Sequence, residues 1–229
     1  ALQGAVGWIM VASGLTGDAI YVKPTRLALH FILAMCLLCY TFWFALQLII
    51  PKEKISNNKA IKRFTVVTIV LLGVQLLYGA LMAGHKAATA APTWPDINGT
   101  AVPGSMFRET PFLLNFIDNK ITIHFIHRLL AYVLLIAILF LCIRLRRQVV
   151  AQSSILLHKT WWIPLFIVIL QVLLGIASVL MSLQIVPNRW GGFEWMAQLH
   201  QLTAMFLLLS LIWFLFLVRA EKNTAANTI

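Results

Sequence analysis

Charge is what this sequence has least of. Charged residues make up 11% of the chain, against roughly a quarter in soluble domains, and a soluble globular fold is excluded on that ground. Acidic residues are the scarcest, seven against eighteen Lys and Arg. A surplus of +11 would suit nucleic acid, but the positive residues lie in short loops between apolar runs. Orientation in a bilayer accounts for them better, so nucleic acid is not an expected partner. Cysteine is limited to three. Cys36 and Cys39 form a C-x-x-C, but inside an apolar run; with Cys142 they read as small packing residues rather than a redox pair. There is no phosphate-binding glycine loop, no zinc-ligand spacing and no nucleophile triad. Asn98-Gly99-Thr100 fits a glycosylation sequon, a triplet common by chance. The sequence opens with neither an initiator Met nor a signal peptide, and is read as beginning inside a helix of a longer protein.

What is abundant is apolar sequence, 61% of the chain. A membrane span needs about 20 such residues. Runs at 26–50, 64–84, 121–143, 161–183 and 195–218 meet that length, whereas 1–15 is apolar but too short. The expectation is an all-α polytopic membrane protein with the lipid bilayer as its surroundings. Between the spans lie basic stretches at 51–63 (Lys52, Lys54, Lys59, Lys62, Arg63) and 144–159 (Arg144, Arg146, Arg147, Lys159). The polar tail at 219–229 adds Arg219 and Lys222 and is expected to fray. On the opposite side, Lys23, Arg26, Lys86, Arg108, Lys120 and Arg189 are nearly balanced by Asp18, Asp96, Glu109, Asp118 and Glu194. The positive-inside rule puts the basic loops and the C-terminus in the cytoplasm or matrix, and the long loop at 85–120 outside. Within that loop, 112–116 (FLLNF) is expected in the interface. The remaining loop, 184–193, carries Pro187 and a Gly191-Gly192 pair.

Ionisable groups inside spans are costly and persist where they serve a function. The stretch ITIHFIHRLLAYV at 121–133 carries His124, His127 and Arg128. His127, His200 and His30 lie seven, six and four residues into their helices from Lys120, Glu194 and Arg26. These spacings are roughly 10, 9 and 6 Å of depth. Each of the three has alanine one turn on: Ala131, Ala204 and Ala34. Positions i and i+4 share a face, and a small residue there leaves room for a flat macrocycle beside the imidazole. His124, His85 and His158 have Arg128, Thr89 and Trp162 instead, and are not expected to bind iron. The bland alternative for any one intramembrane histidine is a hydrogen bond to a neighbouring helix. Arg128, at that depth, calls for a haem propionate or a backbone carbonyl as partner. Trp94 with Pro95 reads either as a rigid outer lid or as an interfacial anchor.

The chain also repeats itself. The run LHFILAMCLLCYTFWF at 29–44 aligns without a gap on LHQLTAMFLLLSLIWF at 199–214. Gln3, Gly7, Val11 and Leu15 fall, more weakly, on Gln171, Gly175, Val179 and Leu183. Corresponding helices keep one orientation, so the repeat is parallel and implies two pseudo-symmetric four-helix bundles. The chain then divides into the back half of a first bundle at 1–50, a basic loop at 51–63, a complete bundle at 64–218 and the tail at 219–229. In the complete bundle His127 and His200 come from the second and fourth helices at one depth, the spacing of a bis-histidine haem site. His30 would pair with a histidine from a helix upstream of the sequence.

Four stretches carry a family resemblance: LQGAVGWIMVASGL, YGALMAGHKAATAAPTWPDING followed by AVP, FIHRLLAY, and QLHQLTA. The chain resembles haem A synthases, membrane enzymes of cytochrome oxidase assembly, over nearly all its length apart from the tail. The resemblance implies an eight-helix oxidoreductase that oxidises a methyl group of haem O to the formyl group of haem A. It implies a haem b cofactor held by His127 and His200 in the C-terminal bundle, and a substrate haem O on the side of His30. An electron donor, and haem O synthase as a neighbour, are the implied partners, and a bacterial or mitochondrial inner membrane the implied location. Two departures stand out. The family's first two helices, with a Glu-x-x-His-Arg motif whose glutamate is implicated in the chemistry, have no counterpart here. The catalytic group is expected in that part, and this stretch alone is expected to be inactive; three residues before His127 stands His124, not a carboxylate. The outer loops also lack the cysteine pairs of some members. Three function classes stay open: a haem-modifying oxidoreductase, a bis-histidine transmembrane cytochrome that only relays electrons, and a transporter or scaffold whose histidines bind no iron.

Overall fold

The structure is a computed structural model, and it describes residues 1–14, 21–51, 55–151, 155–185 and 189–219. Leu15, Asp18, Lys52, Lys54, Pro187, Lys222 and the tail from 220 onward lie outside the described residues. Among the described residues the chain is helical and holds no strand. The helices are α1 (Leu2–Val11), α2 (Pro24–Ile49), α3 (Lys59–His85), α4 (Lys120–Ala151), α5 (Ile155–Thr160), α6 (Ile163–Leu180) and α7 (Gly192–Leu217). Five segments are long and apolar enough to cross a membrane: α2, α3, residues 120–148 of α4, residues 156–180 and α7. This is the all-α polytopic membrane protein that composition requires.

The helix starts follow local chemistry. Pro24 opens α2 and Pro164 lies in the first turn of α6, where the missing N–H removes no helical bond. Asn58 caps α3 by accepting from Ile61 N at 3.0 Å. Asn119 does the same for α4, its Oδ1 accepting from Ile121 N and Thr122 N at 3.0 Å each. The Glu194 carboxylate accepts from Gly191 N at 2.8 Å and puts negative charge at the positive end of α7. Inside the spans, hydroxyls that would be orphaned in lipid bond back along their own helix. Thr65 donates to Ile61 O, Thr68 to Phe64 O and Ser178 to Leu174 O, as a medium without water demands.

Helices α3, α4, α6 and α7 close a ring, each packing on the next and α7 returning to α3. Helix α2 lies against α3 and α7, and α1 lies against α2. The densest core belongs to the end of the ring near the basic segments, where Ile138, Leu141, Leu145, Leu207, Leu211, Phe214 and Phe216 are almost wholly buried. That end is also tied by polar contacts. Asn58 Nδ2 donates to Gln148 Oε1 at 2.7 Å, Gln148 Nε2 donates to Ser56 Oγ at 3.1 Å, and Ser56 N donates to Leu217 O at 2.8 Å. The segments expected as inner loops, and the end of the last span, therefore meet on one side.

The basic segments are less loop-like than hydropathy suggests. Helix α4 runs on through Arg144, Arg146 and Arg147 to Ala151, and α5 begins at Ile155. Lys59, Lys62 and Arg63 are already in α3. Arg, Leu and Gln are good helix formers, so a run that leaves the apolar layer has no reason to unwind. Arg144 and Arg146 fold back over aromatic rings, Arg144 at 5.1 Å from the Phe140 centroid and Arg146 at 5.5 Å from that of Trp161.

Candidate functional site

The outer half of the ring holds the histidines. His127 on α4 and His200 on α7 come from opposite members of the ring, and their ring centroids stand 6.3 Å apart with planes at 70°. An imidazole nitrogen binds a first-row metal at about 2 Å, and that nitrogen lies about 1 Å from its ring centre. Two imidazoles on opposite sides of one metal atom would thus have centroids about 6 Å apart, and the observed separation fits a single iron between them. Two neutral imidazoles are a donor set suited to haem iron. Among the described residues no group of three or more His, Cys, Asp and Glu is placed to hold a metal ion.

What holds the rings was not anticipated from the sequence. Gln75 Nε2 on α3 donates to His127 Nε2 at 3.3 Å, and Gln171 Nε2 on α6 donates to His200 Nε2 at 3.3 Å. His200 Nδ1 donates to the Gln171 backbone carbonyl at 2.9 Å. One residue therefore clasps both nitrogens of His200 and fixes its tautomer, with the proton on Nδ1 and the lone pair on Nε2. Four residues on from each glutamine is a glycine, Gly79 and Gly175, on the same helix face. A Cβ at Gly175 would stand 2.9 Å from His200 Cε1, and one at Gly79 would stand 3.4 Å from His127 Cε1. The glycines let each imidazole lie directly on the neighbouring helix.

The same unit recurs at His30. Gln3 Nε2 on α1 lies 3.3 Å from His30 Nδ1 and 3.4 Å from Nε2, and donates to the His30 carbonyl at 3.2 Å. A Cβ at Gly7 would stand 2.9 Å from His30 Cε1. Three Gln-x-x-x-Gly helices (α1, α3 and α6) thus each face one histidine on the following span (α2, α4 and α7). The sequence signal was there to be read. Gln3 and Gly7 align on Gln171 and Gly175 in the repeat, but Gln75 and Gly79 fall outside a comparison made at a four-helix period. The Gln, Gly and His arrangement recurs once per two-helix hairpin.

The other ionisable groups do different work. His124 is fully buried, and its Nε2 accepts from Arg128 Nε at 3.0 Å. Arg128 then reaches into the outer loop, donating to Asp96 O at 2.7 Å, Thr93 O at 2.6 Å and Ala91 O at 3.3 Å. The backbone carbonyl partner expected for Arg128 is present. Four of its five N–H donors are engaged. The loop it grips is internally tied: Thr93 Oγ1 donates to Asp96 Oδ1 at 2.7 Å and Gly99 N donates to the same oxygen at 2.9 Å. These two bonds hold the Asp96 carboxyl below its ordinary value of 3.8. Asn98 Nδ2 donates to Ala90 O at 2.8 Å, so the sequon asparagine is used in the fold of the loop. Trp94, in the gripped segment, is exposed. His85 Nε2 donates to Ile117 O at 2.7 Å, and His158 is exposed. Cys36, Cys39 and Cys142 are free thiols.

A ring of membrane-length helices with two imidazoles at single-metal separation defines an integral membrane protein with a paired-histidine site. Similarity to known proteins gives the family. A profile described as "Cytochrome oxidase assembly protein" matches residues 1–222, and the chain belongs to that family. A protein named "Heme A synthase" from Methylobacterium sp. (strain 4-46) is 34% identical over 209 residues, 90% of this chain and 54% of that protein. One of the same name from Beijerinckia indica subsp. indica is 38% identical over 215 residues, 90% of this chain and 55% of that protein. A third, from Methylorubrum extorquens, is 33% identical over 229 residues, 99% of this chain and 56% of that protein. The chain spans about half the length of these curated relatives. No solved structure matches.

Proposed function

We propose that this chain carries the cofactor-holding part of an enzyme that converts haem O to haem A. In this reading His127 and His200 would hold a haem b through their imidazole nitrogens, and His30 would hold the iron of the substrate haem. The observation that carries it is the 6.3 Å separation of the His127 and His200 rings. The relatives named "Heme A synthase" supply the substrate and product class. A haem held between the two imidazoles supplies a one-electron redox centre. The chain's own residues bind and orient: the Gln171 carbonyl keeps the His200 proton on Nδ1, so that Nε2 offers its lone pair. Arg128 pins the outer loop over the same end of α4. An electron donor and haem O synthase are the proposed partners. A bacterial or mitochondrial inner membrane, with the basic segments and C-terminus on the cytoplasmic or matrix side, is the proposed setting.

Extraction of pigments from the purified natural-length protein tests this reading. Haem O and haem A recovered alongside haem b are expected. Haem b alone would move the chain to the electron-relay class, and no haem at all would remove both readings. Replacement of His30 by alanine is expected to keep the haem b spectrum and to abolish conversion of haem O. Normal haem A production by that variant would take His30 out of the mechanism.

A further inference from the structure

The Gln-x-x-x-Gly units have no part in the reading above, and their geometry raises a conflict. In the structure the amides of Gln75 and Gln171 donate to Nε2 of His127 and His200. For His200 that is the nitrogen whose lone pair is available to a metal, because Nδ1 carries the proton. One lone pair serves one partner, so an iron atom on Nε2 must displace the amide N–H. The other ends of these amides are also telling. Gln75 Oε1, Gln171 Oε1 and Gln3 Oε1 are all buried without a hydrogen-bond partner. A buried, unpaired carbonyl costs stability, and the same cost recurs at all three glutamines. A common placement against the imidazole explains all three.

We propose that Gln75 and Gln171 are positioning residues that occupy the iron-binding nitrogens of His127 and His200 until a haem takes them. The inference rests on the bis-histidine haem reading. Before insertion the amides keep the two half-buried imidazoles hydrogen-bonded. On insertion each N–H···Nε2 bond breaks, the Nε2 lone pair passes to iron, and the amide is released. The glutamines therefore stabilise the haem-free protein and weaken its hold on haem. Gln3 repeats the arrangement at His30, where an exchangeable ligand is what a passing substrate needs.

The test uses the purified natural-length protein and its Gln75→Leu and Gln171→Leu variants, which keep the volume and remove the amide. Two quantities are read: the equilibrium partition of haem b between the protein and added apomyoglobin, and the thermal midpoint of the haem-free protein. One net hydrogen bond of about 1 kcal/mol corresponds to about fivefold in an equilibrium. Each variant is expected to retain haem about fivefold more strongly while its haem-free form melts lower. A structural role would instead weaken the haem-free and haem-bound forms together, so weaker or unchanged haem retention overturns the proposal. Should the leucine variants fail to fold, Gln75→Met and Gln171→Met carry the same expectation through a more flexible side chain. If the unsubstituted protein binds no haem b, the bis-histidine reading fails and this proposal with it; if it binds haem b and the variants do not tighten it, only this proposal fails.

Discussion

At the scale of single residues, the account turns on what touches three imidazoles. The two ring glycines differ in how close they stand: a Cβ at Gly175 would be 2.9 Å from His200 Cε1, and one at Gly79 would be 3.4 Å from His127 Cε1. The first distance forces the ring to move, and the second asks for only a small adjustment. Gly175→Ala is therefore expected to shift the visible spectrum of the bound haem and lower its occupancy, and Gly79→Ala to do so much less. Equal effects, or the reverse order, in a reduced-minus-oxidised spectrum would contradict the packing described. The histidines themselves stood out in the sequence because imidazoles are rare at membrane depth and each had an alanine one turn on. Their glutamine partners did not. An uncharged amide in an apolar run looks like ordinary polar glue between helices, and only the fold shows that all three point at a ring nitrogen.

At the scale of elements, the outer loop and the inner helix ends behave differently from what hydropathy alone implies. Hydropathy marks where a chain leaves the apolar layer. It does not mark where a helix stops, and so α4 continues to Ala151 while its sequence turns basic. The loop after α3 has no periodicity to read, yet one guanidinium grips its segment at 91–96 through three backbone carbonyls. Arg128→Met is expected to free residues 91–96 and raise their amide hydrogen exchange at least tenfold, with the exchange of α3 and α7 unchanged; protection that persists would assign the loop another anchor. The Asp96 carboxyl adds a pH dependence. Its pKa is lowered in the fold by the Thr93 hydroxyl and the Gly99 N–H. Its contribution to the loop is therefore fully present above the ordinary value of 3.8 and is lost as pH falls through the lower folded value. Loop exchange should be flat from neutral pH down to that range and rise below it, after correction for intrinsic rates. In Asp96→Ala the rise should vanish. At the inner end, Asn58→Leu removes both the α3 cap and the bond to Gln148. A loss of about 1 to 2 kcal/mol is expected from such a cap, read as a lowered thermal midpoint.

At the scale of the whole molecule, the class was legible because it depends on quantities the sequence states outright: too little charge for a soluble domain and enough apolar length for five spans. The ring closed by α3, α4, α6 and α7 was legible in part, through the repeat of 29–44 on 199–214. The hairpin period beneath it was not, since beyond Gln, Gly, His, the alanine one turn on and a few leucines the helices α3 and α4 differ from α6 and α7. The central claim is that His127 and His200, and not His124, share one iron. Low-temperature electron paramagnetic resonance of the oxidised, natural-length protein tests it most directly. The account predicts a low-spin ferric signal of a bis-imidazole haem that is lost in His127→Ala and in His200→Ala and kept in His124→Ala. A low-spin signal that survives His127→Ala, or that disappears only with His124→Ala, would contradict it.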